Sequence, residues 1–325
     1  MDTQQPVSKM FKLYLERSNL RAASIDIKAR ACRFFIQWFG DLSICEVKKT
    51  MADDYRTMLR RGRTATSVNS YLNNFRPFWA WLANRGYLRT NPFALIGPIR
   101  VDEQPERETF TPRELGAMMM VADDLWKIRI AFGLQGGRRG EVLAIQVCDV
   151  HLEDEPAHVL LGAKSGNGQT LPWGTKGRRL RLLALPERMG FDGILIPLRQ
   201  LVASRCRGRD PEIYLCLREE RRKILLERHR AGILTHGDLR DPDGNFPRQF
   251  RALQRRAGIT RPRRFHELRA AFATHMIDSV GLSRAAELMG HASVEQTRKY
   301  DRTKRMALVA EAAKVTENTY VTNVS

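Results

Sequence analysis

A stripe of apolar side chains around residue 75 constrains the fold more than any other feature of this sequence. Its members recur at steps of three and four: Val68, Tyr71, Leu72, Phe75, Phe78, Trp79 and Leu82. This period is typical of an α-helix that buries one face. Thr66 or Ser67 is the predicted N-cap, and Gly86 is the predicted stop. Pro77 is expected to kink or break the helix, because proline lacks the N–H that a helix needs.

A second stripe precedes the first. It comprises Ile27, Ala31, Phe34, Phe35, Trp38 and Phe39, and Gly40 follows it. We interpret both stripes as core, and together they predict that residues 7–95 are all helix. The exposed faces carry basic side chains that are either phosphate contacts or ordinary solvated surface: Lys28, Arg30, Arg33, Arg60, Arg61 and Arg63.

A change in composition divides the chain near residue 100. Residues 97–112 mix glycine, proline and dense charge, which is typical of a linker. Thr111, Pro112 and Glu114 follow the pattern of a helix start with a capping box. The predicted organisation is a helical domain at 1–96, a linker at 97–110 and a second domain at 111–325.

The second domain has a mixed pattern. Helical periodicity covers residues 125–134, 140–147 and 245–315. Two short apolar runs, 158–161 and 180–185, predict strands, and a glycine-rich stretch with Lys164 and Lys176 lies between them. The predicted fold class is therefore mainly α with a small β-sheet or hairpin.

The charge of the chain favours a polyanionic partner. Its net charge is +19, and nucleic acid is the commonest partner of so basic a protein, although charge alone also fits a merely basic protein. Residues 251–264 carry six arginines and no acid. From this run we expect DNA backbone contacts by Arg251, Arg255, Arg263 and Arg264.

Other features bear on the compartment. No apolar run is long enough to cross a bilayer, and residues 1–10 lack the apolar core of a signal peptide. The five cysteines form no CxxC pair and show no zinc spacing, so they are expected to be reduced. These features predict a cytoplasmic protein associated with DNA, without membrane, metal or cofactor.

Five further residues have the side chains that cut a phosphodiester without metal. Arginine forks bind two phosphate oxygens, histidines transfer protons near neutral pH, and a tyrosine hydroxyl can form a covalent phosphate ester. In chain order they are Arg138, His266, Arg269, His291 and Tyr300. Each alone has an ordinary interpretation: an ion pair of Arg138 with Glu141, a helix cap at His291, a core tyrosine at Tyr300. Their combination favours a catalytic site.

In this order the residues resemble those of the tyrosine recombinases, the class of phage integrases and Xer-type recombinases. The resemblance extends over most of the chain. Residues 7–95 resemble the family's helical, SAM-like core-binding domain, including the stretch 66–72 and Asn91 with Pro92. Residues 105–315 resemble its catalytic domain.

The resemblance implies a role for each candidate. Arg138 and Arg269 would clamp the phosphate, and Glu141 matches an acid that supports the site from behind. The remaining matches are the proton-handling His266, the hydrogen-bonding His291, the nucleophile Tyr300 and the lysine Lys176, which would protonate the leaving 5′ oxygen. Lys164 is the rival to Lys176.

Three features depart from the family pattern. Gly137 stands where a bulky apolar residue is usual, and Arg139 adjoins Arg138. The stretch from about 190 to 245 is longer and more basic than expected of a compact member, and the sequence assigns it no role. We prefer Arg138 as the catalytic arginine because it lies three residues before Glu141.

The implied function is site-specific DNA recombination through a 3′-phosphotyrosine, without ATP or metal. The expected assembly is a homotetramer on paired double-stranded DNA sites, built from subunits that are monomeric or weakly associated without DNA. An apolar C-terminal helix would dock on a neighbouring subunit or pack on its own domain: Met306, Leu308, Val309 and Ala312. The alternatives are a type IB topoisomerase and a DNA-binding regulator that does not cleave.

Overall fold

The computed structural model describes residues 4–20, 22–101, 109–173, 180–290 and 293–298. By its internal contacts the chain divides into two compact units, Met1–Glu106 and Arg107–Ser325. The described residues are mainly helical with two small antiparallel sheets, which confirms the predicted fold class. In this part of the chain, every helix is too short or too polar to cross a lipid bilayer.

The described residues of the first unit form four helices and a short 3-10 turn at Ile44–Glu46. The helices are α1 (Val7–Glu16), α2 (Ala22–Phe39), α3 (Lys49–Arg60) and α4 (Ala65–Asn84). Both predicted stripes lie on these helices, and their large side chains form one core with Tyr55 of α3 and Phe93 after α4. One stripe residue departs from the pattern, because Ile27 at the start of the second stripe is half exposed.

Helix α4 begins earlier than its sequence suggests and does not end at its proline. Thr64 is the N-cap, since its hydroxyl accepts a hydrogen bond from the Ser67 N–H at 3.3 Å, so the predicted cap at Thr66 or Ser67 is wrong. The helix also continues through Pro77, so the predicted break is wrong. An internal proline costs about 3 kcal/mol. Phe75 and Phe78 on either side of it are fully buried, and each such burial contributes about 1.5–3 kcal/mol, which outweighs that cost.

The second unit contains ten helices in its described part. They are α5 (Pro112–Val121), α6 (Asp124–Leu134), α7 (Arg139–Leu143), α8 (Leu198–Cys206), α9 (Glu219–Arg230), α10 (His236–Arg240), α11 (Phe246–Arg256), α12 (His266–Val280), α13 (Leu282–Leu288) and α14 (Glu295–Arg298). The capping box that opens α5 is present as predicted, with Thr111 accepting from Glu114 N–H and the Glu114 carboxylate accepting in return. Helices α6 and α12 pack against each other and bring distant parts of the sequence together.

Two small sheets accompany these helices. Strands β1 (Val150–His151), β2 (His158–Leu161) and β3 (Arg181–Ala184) form an antiparallel sheet in that order, and β4 (Met189–Phe191) pairs with β5 (Ile194–Ile196). Strands β2 and β3 confirm the two predicted strands. In β3 the inward-facing residues are Arg181 and Leu183, so a charged side chain lies on the face of the strand that packs against the core. That orientation directs Arg181 toward the candidate site.

A buried ion pair holds the segment 190–245, whose role the sequence left open, to the core of the second unit. Arg129 of α6 is fully buried, and its Nη2 lies 3.1 Å from Oδ1 of Asp243, which is also fully buried. The Nε and Nη2 of Arg129 also donate to the Cys216 carbonyl at 2.9 and 2.8 Å. Arg218 reaches the same Asp243 oxygen at 3.0 Å. One arginine therefore anchors both ends of the stretch that contains α9 and α10.

Candidate active site

The sequence-predicted catalytic residues divide into two groups. Arg138, Glu141, His266 and Arg269 fall on described elements, at the start of α7 and in the first turn of α12. Lys176, His291 and Tyr300 lie outside the described residues, as does the C-terminal helix predicted to dock on a neighbour. The described group therefore carries the geometric argument.

The turn between α6 and α7 is too tight for a side chain at Gly137. A Cβ there would lie 2.7 Å from the Phe132 carbonyl oxygen and 2.7 Å from Cγ2 of Val142. This explains the departure from the family pattern, because the close return of the chain leaves no space for the usual apolar residue. The turn delivers Arg138 to the N-cap position of α7.

The two adjacent arginines point to different neighbours. Arg138 donates from Nη1 to Oε1 of Glu141 at 2.7 Å, and its backbone N–H donates to Oε2 at 2.9 Å. Arg139 instead donates to the Arg240 carbonyl at 2.7 Å and lies over the Phe246 ring. The Arg138 side chain remains one-quarter exposed, so it can reach a bound phosphate. Of the two, Arg138 belongs to the Glu141 cluster.

Glu141 holds two arginines at once. Its Oε2 lies 2.5 Å from Nη2 of Arg181, and both of these side chains are buried. Burial raises the pKa of Glu141, but the charges of Arg181 and Arg138 and the N–H of Arg138 outweigh it, so the pKa is lowered and the carboxylate stays ionised. Burial is the main cause that lowers the pKa of Arg181. The carboxylate thus fixes the position of Arg138 from behind.

Arg181 is a residue that the sequence reasoning missed. The sequence signal for Arg181 is its position in the alternation of the strand. Leu183 and Leu185, two and four residues further on, are buried, so Arg181 faces the core as well and must have a partner there. Only Arg181's inward register, not a motif, could have identified it.

Arg269 is the most deeply buried of the predicted catalytic residues that the structure describes, at 1% exposure. Its Nη2 donates to the Met289 carbonyl at 2.5 Å, and its Nη1 donates to the Gly136 carbonyl. Arg181 donates to the same two carbonyls, at 3.3 Å and 3.5 Å. Two guanidinium groups therefore share two backbone acceptors, which ties the α6–α7 turn, β3, α12 and the end of α13 into one cluster.

The glycine after Met289 is required by the same cluster. Gly290 has φ +60°, and a Cβ on it would overlap the side chain of Arg181. Glycine adopts this backbone conformation and leaves space for the arginine. The backbone that leads into His291 is thus held at Met289 by Arg269 and Arg181.

His266 opens α12 beside a basic and aromatic cavity. The side chain is exposed, and it contributes to the wall of a cavity of about 470 Å³. The other lining residues are aromatic, proline or arginine: Arg139, Phe246, Pro247, Phe250, Arg251, Pro262, Arg263, Arg264 and Phe265. A cavity with this lining suits an anion next to a flat apolar group.

The predicted DNA contacts differ in their availability. Arg251, Arg255 and Arg264 in the second unit and Arg60 and Arg61 in the first are exposed. Arg263 is not a simple surface group, because its Nη1 pairs with Oε1 of Glu114 at 2.6 Å and its guanidinium lies over the Phe110 ring.

Lys28 is buried, so its predicted place on an exposed face is wrong. Arg63 is also engaged within the protein. Its guanidinium carbon lies 4.9 Å from the centroid of the Phe34 ring and 5.6 Å from that of the Tyr71 ring.

Lys164 has a partner of its own. Its ammonium forms an ion pair with Asp149, and both side chains are largely buried. Its backbone also pairs with Trp173 on the other side of the glycine-rich stretch. A lysine bound in this way has a structural role that explains its presence.

Comparison with known proteins identifies similar chains. The family model described as the phage integrase family matches residues 122–306, more than half of the chain. A tyrosine recombinase XerD from Listeria monocytogenes serotype 4b is 24% identical over 260 residues, which is 77% of this chain and 75% of that protein.

Two solved structures have the same fold. The Tn1549 transposon integrase in complex with a circular intermediate DNA gives a TM-score of 0.67 at 16% identity, covering 94% of this chain and 99% of that one. A lambda integrase tetramer bound to a Holliday junction gives 0.64 at 14% identity, covering 93% and 80%.

Proposed function

This chain belongs to the phage integrase family, and we propose that it is a site-specific tyrosine recombinase that cuts and rejoins DNA through a 3′-phosphotyrosine at Tyr300. The observation that carries the proposal is the cluster of Arg138, Glu141, Arg181 and Arg269 around the Gly136 and Met289 carbonyls. Such a cluster holds positive charge in fixed positions before the substrate arrives, which is what stabilisation of a phosphoryl transition state requires.

The proposed reaction follows from the side chains. The Tyr300 oxygen attacks phosphorus and forms a P–O bond, its hydroxyl proton passes to His266, and the bond from phosphorus to the 5′ oxygen breaks. Arg138 and Arg269 neutralise the charge that develops on the non-bridging oxygens, with His266 and His291 as hydrogen-bonding and proton-handling groups. Lys176 gives a proton to the departing 5′ oxygen. The phosphotyrosine ester conserves the energy of the broken phosphodiester. The 5′ hydroxyl of another strand can therefore attack phosphorus, restore a phosphodiester, and release Tyr300 as its bond to phosphorus breaks.

Three of these assignments rest on sequence position and on their neighbours. His291 follows the Met289–Gly290 backbone that Arg269 and Arg181 hold. Tyr300 lies within the matched family segment. Lys176 is favoured over Lys164 because Lys164 already pairs with Asp149.

The proposed partner is double-stranded DNA, bound by a homotetramer on paired sites. The similar integrase structures contain DNA, and one is a tetramer on a Holliday junction. Exposed arginines on both units supply the phosphate contacts, with residues 1–96 as the core-binding domain and 111–325 as the catalytic domain. Without DNA the subunits would be monomeric or weakly associated, and the protein would reside with DNA in the cytoplasm. The similar proteins described above are recombinases and integrases, which disfavours a topoisomerase or a non-cleaving regulator.

Tyr300→Phe tests the proposal directly. On a nicked suicide substrate the parent chain should form a covalent protein–DNA adduct, seen as a shifted band on a denaturing gel. Tyr300→Phe should bind the same DNA and form no adduct, while the control Tyr320→Phe should form it normally. An adduct that persists in Tyr300→Phe and disappears in Tyr320→Phe would assign the nucleophile to Tyr320.

A second experiment tests the lysine. Lys176→Ala should cleave ordinary DNA slowly and recover on DNA with a 5′-thiol leaving group, because a thiolate departs without protonation. Lys164→Ala should show no such recovery. Rescue of Lys164→Ala alone would reverse the assignment, and rescue of neither variant would mean that another group supplies the proton.

A further inference from the structure

The hairpin between β1 and β2 brings two histidines face to face. His151 and His158 are directly opposite in the antiparallel register. Their rings stack with centroids 4.7 Å apart and planes within 14°. Neither residue has a role in the proposed recombination reaction.

A carboxylate completes the group. Asp154, in the connection between the two strands, has Oδ2 3.6 Å from Nδ1 of His151 and 3.8 Å from Nε2 of His158. One ligand atom from each of the three residues lies within 4.8 Å of the others. Tetrahedral zinc with bonds of about 2.0–2.2 Å places its ligand atoms about 3.4 Å apart. A shift of a few tenths of an ångström would therefore suffice for the two separations from Asp154. The two stacked rings would also have to rotate about their side-chain bonds, so that both nitrogen lone pairs meet at one ion.

The ring of His158 is already held as metal-binding histidines usually are. Its Nδ1 lies 3.0 Å from the Pro156 carbonyl oxygen. A carbonyl can only accept, so Nδ1 carries the hydrogen, and Nε2 presents its lone pair on the side of Asp154. A hydrogen bond from the second ring nitrogen to a backbone carbonyl orients a ligating imidazole in the same way in established metal sites.

Local charge also favours a cation here. The chain as a whole carries +19, yet the hairpin residues 150–161 contain three acids and no lysine or arginine. The three acids are consecutive, Glu153 to Glu155, in the connection that carries the proposed ligand Asp154. The hairpin is thus an acidic region of a basic protein, and it attracts divalent cations rather than phosphate.

The cluster is separate from the candidate active site. In the sheet, His158 pairs with Ala184, whereas Arg181 pairs with Leu161 at the other end of β2. Three residues along a strand span about 10 Å. The absence of a zinc pattern among the cysteines said nothing about this cluster, because it contains no cysteine.

We propose that His151, Asp154 and His158 form a binding site for a divalent transition-metal ion, with Zn²⁺ as the best match. Two imidazoles and a carboxylate are suitable zinc ligands, and a water molecule would occupy the fourth position. The bound ion would cross-link β1 to β2 and stabilise the sheet that carries Arg181. This inference does not depend on the proposed recombinase activity.

Zinc binding by the tag-free, chelator-treated full-length chain tests the proposal. Isothermal titration with Zn²⁺ should give one site, and Co²⁺ should give visible ligand-field absorption with the same stoichiometry. The double variant His151→Ala/His158→Ala should lose on the order of a hundredfold in affinity, since two of three ligands are gone. His229→Ala, which changes a half-buried helix histidine of the same unit, should bind as the parent does.

Two further measurements keep the test decisive. Zn²⁺ should raise the melting temperature of the parent and not that of the double variant, while the metal-free chains should melt alike. If the double variant misfolds, Asp154→Asn, a change at a half-exposed side chain, should still weaken binding about tenfold or more. The proposal is overturned if the parent binds no zinc, or if the affinity of the folded variants equals that of the parent.

Discussion

The cores of the two units are built on different principles. In the described part of the first unit the buried side chains are almost entirely apolar, many of them aromatic, and Lys28 is the one charged residue among them. Trp79 and Phe93 stack there with centroids 5.4 Å apart. The second unit also has an apolar core, but its described part buries Arg129, Glu141, Asp149, Arg181, Asp243, Glu267 and Arg269.

The difference follows from what each unit has to hold. An apolar core needs only shape and area, and it leaves the surface free to carry basic residues. A phosphoryl-transfer site needs fixed charges away from water, and buried charges persist only when each has a partner. The second unit therefore contains carboxylates that each hold two arginines: Glu141 for Arg138 and Arg181, and Asp243 for Arg129 and Arg218. The first pair of arginines orients the candidate site, and the second holds the 190–245 segment.

Removing a charge from the site should have the largest effect on the rate of cleavage. In the proposed reaction Arg138 donates to a phosphate oxygen that gains charge in the transition state. Arg138→Ala should therefore reduce cleavage about a hundredfold or more, on the order of 3 kcal/mol. The rate of adduct formation on saturating suicide substrate measures it. Arg139→Ala should stay within a few-fold of the parent, because Arg139 points to the Arg240 carbonyl. The opposite pattern would move the catalytic arginine by one residue.

Breaking a buried ion pair outside the site should have the largest effect on stability. Asp243→Asn leaves Arg129 without a buried counter-charge, and the expected loss in unfolding free energy is about 3–5 kcal/mol. Native-state hydrogen exchange should show this loss as reduced protection of the α6 amides, while the α4 amides of the first unit keep their protection. The matched control is Glu187→Gln, which breaks the Arg199–Glu187 pair at the surface and should cost about 1 kcal/mol or less. Equal losses would remove the distinction between the buried and surface pairs.

A core change in the first unit should cost less than the loss of Asp243's charge. Phe75→Leu keeps this position apolar but leaves a small cavity, which the neighbouring aromatic rings can fill only in part. We therefore expect the free energy of unfolding to fall by about 1–2 kcal/mol. Hydrogen exchange should now change at α4 and not at α6. A loss larger than that of Asp243→Asn would contradict the view that apolar packing tolerates substitution better than a buried charge network does.

The smallest effect should come from a helix cap. Thr111→Ala removes the side-chain acceptor of the α5 capping box, and should cost about 1 kcal/mol. Thr64→Ala at the cap of α4 is the matched change in the first unit, and similar losses are expected because capping is local. Thermal unfolding of both variants measures the loss of stability at each cap. A several-fold difference between the two losses would show that one cap is coupled to its surroundings.

The α5 cap also predicts a pH dependence. Burial raises the pKa of Glu114, but hydrogen bonds from the Thr111 N–H and from Arg263 outweigh it and leave the pKa below its usual value. The stabilisation is therefore present above the unfolded-state pKa and is lost as the pH falls through the lower folded-state pKa. Glu114→Gln should flatten this acidic part of the stability profile. A profile identical to that of the parent would exclude Glu114 as a contributor.

Local features of this protein were readable from the sequence. The stripe around Phe75, the capping box at Thr111 and the strand at 158–161 all depend on neighbours within a few residues, and the structure has each of them. The same holds for the family resemblance, because the motif residues occur in a recognisable order. Local patterns misled at Pro77, where the surrounding core maintains the helix, and at the start of α4, where Thr64 rather than Thr66 or Ser67 is the N-cap.

Tertiary structure alone decided which charged groups meet. Arg181 reaches Glu141 across 40 residues, and Arg269 reaches the Gly136 carbonyl across 133. Whether Arg138 or Arg139 faces this cluster, and whether His151 faces His158, likewise depends on turns and register rather than on residue type. The physical reason is that buried charges are stabilised by specific partners at close range, and only the folded backbone brings residues so far apart in sequence within that range.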